Sequence, residues 1–219
     1  MSEEDIADSV TPRRVHITGA SGSGTTTLGH ALAARFGWRH LDTDEYFWLP
    51  TDPPFQQQRP VPERLALLGA ALAGSGWVLS GAVGAWGDPF IPLFDLVVFL
   101  SVPAATRIAR LRDRERLRFG EVALAPGGVM HANHTAFMAW AAAYDDGGPD
   151  MRSRQRHERW LATLPCPVLR LEGEHSVAVN LAAASRALES WDAEMPDRCS
   201  ISMRSVERTA PSSGPSPTT

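Results

Sequence analysis

A chain of 219 residues with 43% apolar and 21% charged side chains has enough material for one domain with a buried core, and too much apolar content to be wholly disordered. The formal net charge of −4 removes the electrostatic motive for general nucleic-acid binding, and two cysteines, Cys166 and Cys199, cannot build a disulfide framework. The acidic opening MSEEDIAD lacks an apolar signal core, and the apolar runs at 65–73 and 91–100 are too short or too broken to span a bilayer, so the expectation is a cytoplasmic globular protein without membrane contact.

In chain order, Arg14 to Thr18 reads as a first strand. Leu28, Leu32 and Phe36 recur every four residues and place an apolar stripe on a helix from Thr26 to Phe36. Trp38 to Leu41 reads as a second strand, and Glu63 to Ala73 as a helix stopped by Gly74-Ser75-Gly76. Trp77 to Ser80 and Leu96 to Leu100 are the third and fourth strands, the fourth apolar throughout as an interior strand is. Pro103 opens a helix reaching about Arg118 and Gly120, Val168 to Leu171 is the fifth strand, and Ser176 caps a last helix. This alternation predicts α/β: a five-stranded parallel sheet with helices on both faces, whose ligands sit beyond the carboxyl ends of the strands. The expected organisation is a flexible N-terminus at 1–12, one domain at 13–194, and a disordered Ser/Thr/Pro-rich tail at 195–219. Residues 119–151, glycine-rich around one helix from Met130 to Tyr144, read as a helical lid insertion.

Between the first strand and the first helix lies Gly19-Ala20-Ser21-Gly22-Ser23-Gly24-Thr25-Thr26, which is G-x-x-x-x-G-K-[ST] with Thr25 in the lysine's place. All 21 basic residues of the chain are arginines, so no lysine elsewhere makes up the loss. The remaining chemistry still describes a phosphate cradle. Three glycines let successive N–H groups turn inward, the helix adds the positive end of its dipole, and the Thr26 hydroxyl is placed to ligate Mg²⁺. The missing ammonium is the group that reaches the β- and γ-phosphates.

The loop resembles that of the nucleotide-kinase group of P-loop phosphotransferases, some cytidylate-kinase-like members of which also carry Gly-Thr-Thr here. Val102-Pro103 followed by Arg110 and Arg114 is similar to the adenylate kinase pattern, which implies that Arg110 stacks on the adenine of ATP and Arg114 contacts the transferring phosphates. Six arginines against two acids between 107 and 118 also concentrate positive charge on this helix, with Arg107, Arg110, Arg114 and Arg118 on one face. Asp145-Asp146 followed by Arg154 resembles the acidic pair and phosphate-binding arginine of the adenylate kinase lid. Arg152, Arg154 and Arg156 alternate, and Arg154 is the best single choice among them. Histidines 131, 134 and 157 read as surface residues and not as zinc ligands.

The acceptor side departs from adenylate kinases: the arginines that hold a nucleoside monophosphate are replaced by Trp48 and by Ser80-Gly81-Ala82-Val83-Gly84. Arg59, in the loop Gln56-Gln57-Gln58-Arg59, is a candidate substitute that no motif matches, and Asp88 is a minor candidate. Asp42 and Asp44 instead resemble the Asp-x-Asp of shikimate and related small-molecule kinases, which implies that one helps hold Mg²⁺ (with Thr26, Asp42) and the other orients the acceptor hydroxyl. An Asx turn capping a helix is the alternative structural use of Asp42. Tyr46, Phe47, Trp48 and Trp86 are candidates to line the acceptor pocket. The resemblance implies a kinase that moves the γ-phosphate of ATP to a small acceptor, a nucleotide or nucleoside-like molecule, without nucleic acid, membrane or obligate protein partner. The alternative is a nucleotide-binding regulatory protein or ATPase with little kinase turnover, the lysine having been lost because transfer is not required.

Overall fold

Five strands, β1 (Arg14–Gly19), β2 (Arg39–Asp42), β3 (Trp77–Ser80), β4 (Leu96–Ser101) and β5 (Val168–Glu172), pair in parallel in the order β2-β3-β1-β4-β5. They form the centre of a computed structural model that describes residues 11 and 13–194. The expected tail at 195–219, with Cys199, and all of the expected N-terminal segment except Thr11 lie outside the described residues. Alternation along each strand splits its side chains between two cores. Val15, Ile17, Val78, Leu96 and Val98 meet α1 (Thr25–Phe36) and α8 (Val177–Glu194) on one face. Trp77, Leu79, Val97 and Phe99 meet α3 (Val61–Ala71) and α7 (Arg154–Ala162) on the other. Both faces of β1 and β4 are thereby removed from water, which is why β4 is apolar almost throughout, whereas β1 buries His16 and Thr18 beside Val15 and Ile17.

The expected elements are present with ends shifted by a residue or two. Trp38 precedes β2 and stacks on Phe36, with ring centroids 4.9 Å apart, packing beside the first core. Four further elements carry no long apolar period: α2 (Thr43–Phe47), a 3₁₀ turn at Asp88–Leu93, α5 (Glu121–Leu124), and α7. The long α4 (Ala104–Phe119) leads into α5 and α6 (His131–Ala142), the segment expected as an insertion. Among the described residues, no helix is long and apolar enough to cross a membrane. Parallel pairing brings the ends of β1, β2 and β3 and the start of α1 to one end of the sheet, over which α4, α6 and α7 wall a cavity of about 870 Å³.

Candidate active site

The chain leaves β1 at Gly19 and turns through Gly22 (φ +81°) and Gly24 (φ +95°) before α1 begins at Thr25. A Cβ at Gly19 would stand 2.7 Å from the Leu100 carbonyl, and one at Gly22 would stand 2.6 Å from the Arg107 carbonyl, so the loop is pressed against β4 and α4 where only glycine fits. Gly24 serves as the N-cap of α1 without a side-chain cap, which leaves the first-turn N–H groups of a twelve-residue helix for an anion. Ala20, Ser21, Gly22, Thr25 and Thr26 line the large cavity. Gly19 sits behind them and Ser23 is buried.

At the cavity edge of α1, the Thr26 hydroxyl donates to Asp42 Oδ2 at 2.9 Å. The other carboxylate oxygen accepts the Asp44 N–H at 3.0 Å and caps α2. The Asx turn and the site are therefore one arrangement, in which Asp42 spends one oxygen on its own backbone and turns the other toward Thr26. The turn also brings Asp44 into the cavity lining, although a continued strand would send Asp42 and Asp44 to one face and away from Thr43. Thr43 stays behind as a support, its hydroxyl accepting the Ala82 N–H at 3.1 Å, which requires Gly81 at φ +108° because a Cβ there would fall 2.0 Å from that hydroxyl. The Asp44 carboxyl is pushed above the usual carboxylate range, first by the protein closing around it and then by Asp42, against the pull of Arg152, Arg114 and Arg118.

The arginines divide by destination. Arg114 reaches the cavity, its pKa lowered by burial and by neighbouring Arg118 against the opposing pull of Glu115, Asp44 and Asp42. Arg110 leaves the same helix toward a smaller cavity of about 260 Å³ beside the loop, donating to the Gly173 carbonyl at 3.1 Å and the Ser23 carbonyl at 3.4 Å. Arg107 corrects the expectation of a four-arginine charged face. It is fully buried, donates to the carbonyls of Val102 and Ala141 at 3.0 and 3.3 Å, and pairs with Asp145 at 2.5 Å. Arg154 lies outside the lining of both cavities, paired with the same Asp145 at 2.9 Å, so Asp145 joins α4 to α7. Its neighbours Arg152 and Arg156 line the large cavity instead.

Several minor candidates are structural. Arg59 donates to the carbonyls of Tyr46 and Trp48 at 3.1 and 3.3 Å, and Asp88 accepts the Ala85 N–H at 3.1 Å. Tyr46 packs beside the second core, whereas Phe47, Trp48 and Trp86 line the cavity. His157 is buried and not on the surface: its Nδ1 bonds the Tyr144 hydroxyl at 2.7 Å, and burial drives its pKa down to about 3. Among the described residues no group of three His, Cys, Asp or Glu side chains is placed to hold a metal ion by itself.

The lining also holds Arg118, expected on the charged helix face, His134, expected on the surface, and Arg152, Gln56 and Asn133, to which the sequence assigns no role. Asn133 donates to Gln56 at 2.6 Å, tying α6 to the loop before α3 across the cavity mouth. Of these last three, a readable sign existed for Arg152. Ser153 is the N-cap of α7, accepting the Arg156 N–H at 3.2 Å, and taking that serine as a cap puts Arg152 just outside the helix.

Over 166 residues the chain is 48% identical to the uncharacterized protein YqaC of Bacillus subtilis (strain 168), a match covering 75% of this chain and 91% of that protein. No family model matches. Among solved structures, the shikimate kinase of Acinetobacter baumannii in complex with shikimate is similar over 90% of this chain and all of its own, with a TM-score of 0.50 at 16% identity. A gluconokinase from Sinorhizobium meliloti 1021 is similar over 89% of this chain and 98% of its own, with a TM-score of 0.47 at 17% identity. At 16% identity the likeness is one of fold alone: the five-stranded parallel sheet with its helices matches the fold of the Acinetobacter baumannii shikimate kinase.

Proposed function

The chain belongs to the family of Bacillus subtilis YqaC, and on the geometry of its cavity we propose that it is a small-molecule kinase that transfers the γ-phosphoryl group of ATP. The observation that carries this reading is the Thr26–Asp42 hydrogen bond of 2.9 Å, at the end of a glycine loop and in one cavity with Asp44 and Arg114. A hydroxyl beside a carboxylate is an all-oxygen donor pair suited to a hard divalent cation. Thr26 and Asp42 would hold Mg²⁺, which when bound neutralises charge on the phosphate oxygens.

The chain's own groups do the rest. Backbone N–H groups from Gly19 to Thr26 bind the phosphates, and Arg110 flanks the smaller cavity, where the adenine would rest on its guanidinium. Asp44, with its pKa raised, accepts the proton of the acceptor hydroxyl as that oxygen bonds to the γ-phosphorus and the bond to ADP breaks. Arg114 opposes charge on the transferring group. The segment 119–151 acts as a lid that excludes water. Phe47, Trp48 and Trp86 offer ring faces on which an acceptor can stack, which supports a nucleotide or nucleoside-like molecule.

Single-turnover transfer from γ-labelled ATP across a panel of nucleosides, nucleotides, shikimate and sugars tests the reading. Label on an acceptor is the expected result. ATP bound with no acceptor labelled identifies the regulatory alternative, which Thr25 in the lysine position favours, and phosphate release indifferent to acceptor identifies an ATPase. Arg114→Ala should lower the transfer rate by about 100-fold and leave ATP affinity within about 5-fold. Equal loss in both removes Arg114 from the transition state.

A further inference from the structure

The cavity contains an arginine that the fold leaves only partly satisfied, facing the charge of Asp44 without pairing with it. Arg152 comes from the turn between α6 and α7 and donates from Nη2 to the carbonyl of Gly19, the first residue of the phosphate loop. Its Nε is buried without a hydrogen-bond partner, and among the described residues no carboxylate pairs with it within 4.0 Å. Arg107 shows what a structural arginine looks like in the same region: fully buried, where Arg152 is partly open to the cavity, and satisfied by two carbonyls and Asp145. A guanidinium whose Nε is shut off from water and left without an acceptor is costly unless an anion completes it. The surroundings hold it in place. The Ser153 hydroxyl donates to the Gly148 carbonyl at 2.8 Å, and the Arg154 N–H donates to the Tyr144 carbonyl at 2.8 Å, so the backbone on its C-terminal side is pinned.

The loop beneath it lacks a cation, because Thr25 stands where the motif has lysine and the chain has no lysine at all. We propose that Arg152 is that missing cation, delivered from the far wall of the cavity to the terminal phosphates of a nucleoside triphosphate in the loop. The inference rests on the kinase reading above and adds a residue and a ligand preference to it. Arginine cannot give up its charge at working pH, and its planar fork holds phosphate by two N–H groups where lysine offers a point charge. Charge at this position discriminates by phosphate number: a triphosphate extends into it, and a monophosphate held by the same base and sugar does not.

The test is calorimetric binding of Mg·ATP and of AMP to the full chain as wild type, Arg152→Met, Thr25→Lys, and the double variant. Arg152→Met should weaken Mg·ATP by about 30-fold and AMP by less than about 3-fold, as expected for losing a charge-assisted bidentate contact. The double variant should recover at least about 10-fold for Mg·ATP, because a lysine from the loop reaches the same oxygens. Thr25→Lys alone should gain less than about 10-fold, since the position is already charged, and it remains informative if Arg152→Met does not fold. ATP and AMP falling together, an unaffected Arg152→Met, or a gain beyond about 10-fold from Thr25→Lys alone overturns the inference while leaving the kinase reading intact. Folded wild type that binds no Mg·ATP overturns both.

Discussion

Replacing Gly22 by alanine should damage the protein through two separable effects. At φ +81° an L side chain pays about 1–2 kcal/mol in backbone conformation. The new Cβ would also lie 2.6 Å from the Arg107 carbonyl oxygen and 3.0 Å from Leu111 Cγ. The first of these is helix backbone and cannot rotate away, so α4 must move, and overpacking of this kind adds about 1–3 kcal/mol. The sum, about 3 kcal/mol, corresponds to a drop in Tm of about 6–12 °C for a domain of this size. Because α4 also carries Arg110 and Arg114, the shift should weaken Mg·ATP binding as well. Gly24→Ala is the matched control. Its φ of +95° carries the same conformational penalty, but the nearest heavy atom to the added Cβ is the flexible end of Arg110 at 4.0 Å. Its Tm should fall by about half as much, measured by circular dichroism melts of both variants side by side. If Gly22→Ala melts no lower than Gly24→Ala, the loop is not pressed against α4 and the argument from crowding fails.

Two further outcomes concern the buried polar groups. Arg107→Met leaves two interior carbonyls without their donor and strips Asp145 of one partner, and should cost about 3 kcal/mol in urea unfolding; a loss below about 1 kcal/mol would mean that Arg107 does not hold α4 to the Asp145 turn. His16 and His157 are buried neutral, with pKa values driven down to about 4 and about 3 from an ordinary 6.5, chiefly by burial. Below pH 6.5 the unfolded chain takes up protons that the folded chain refuses, so this stability is complete above pH 6.5 and is lost as pH falls toward 4. Unfolding free energy should drop by about 3 kcal/mol between pH 7 and pH 5, and a flat profile over that interval would show that one or both rings stay solvated.

The fold was legible because its signals are local. The spacing of Leu28, Leu32 and Phe36 needs only a helix beside a sheet, and the apolar run at Leu96 to Leu100 needs only burial on two faces. The glycine loop was legible for the same reason: its conformation is set by the φ that Gly22 and Gly24 permit, and the strand and helix on either side are contiguous with it. Thr26 and Asp42 are sixteen positions apart, and the sequence named both, but only the parallel register of β1, β3 and β2 brings the hydroxyl to 2.9 Å from the carboxylate.

The arginines mark where residue type stops being informative. Arg107, Arg110 and Arg114 lie on one helix at three- and four-residue spacing. Tertiary structure makes the first a buried strut, the second a neighbour of the Gly173 turn, and the third a cavity group. Arg152 and Arg154 are two residues apart, and the N-cap at Ser153 sends one to the Gly19 carbonyl of the glycine loop and the other to Asp145. A guanidinium reaches far enough to serve any of these places, so its role is fixed by which acceptors lie within its reach. Those acceptors come from strands and helices distant in sequence, and only the folded chain assembles them.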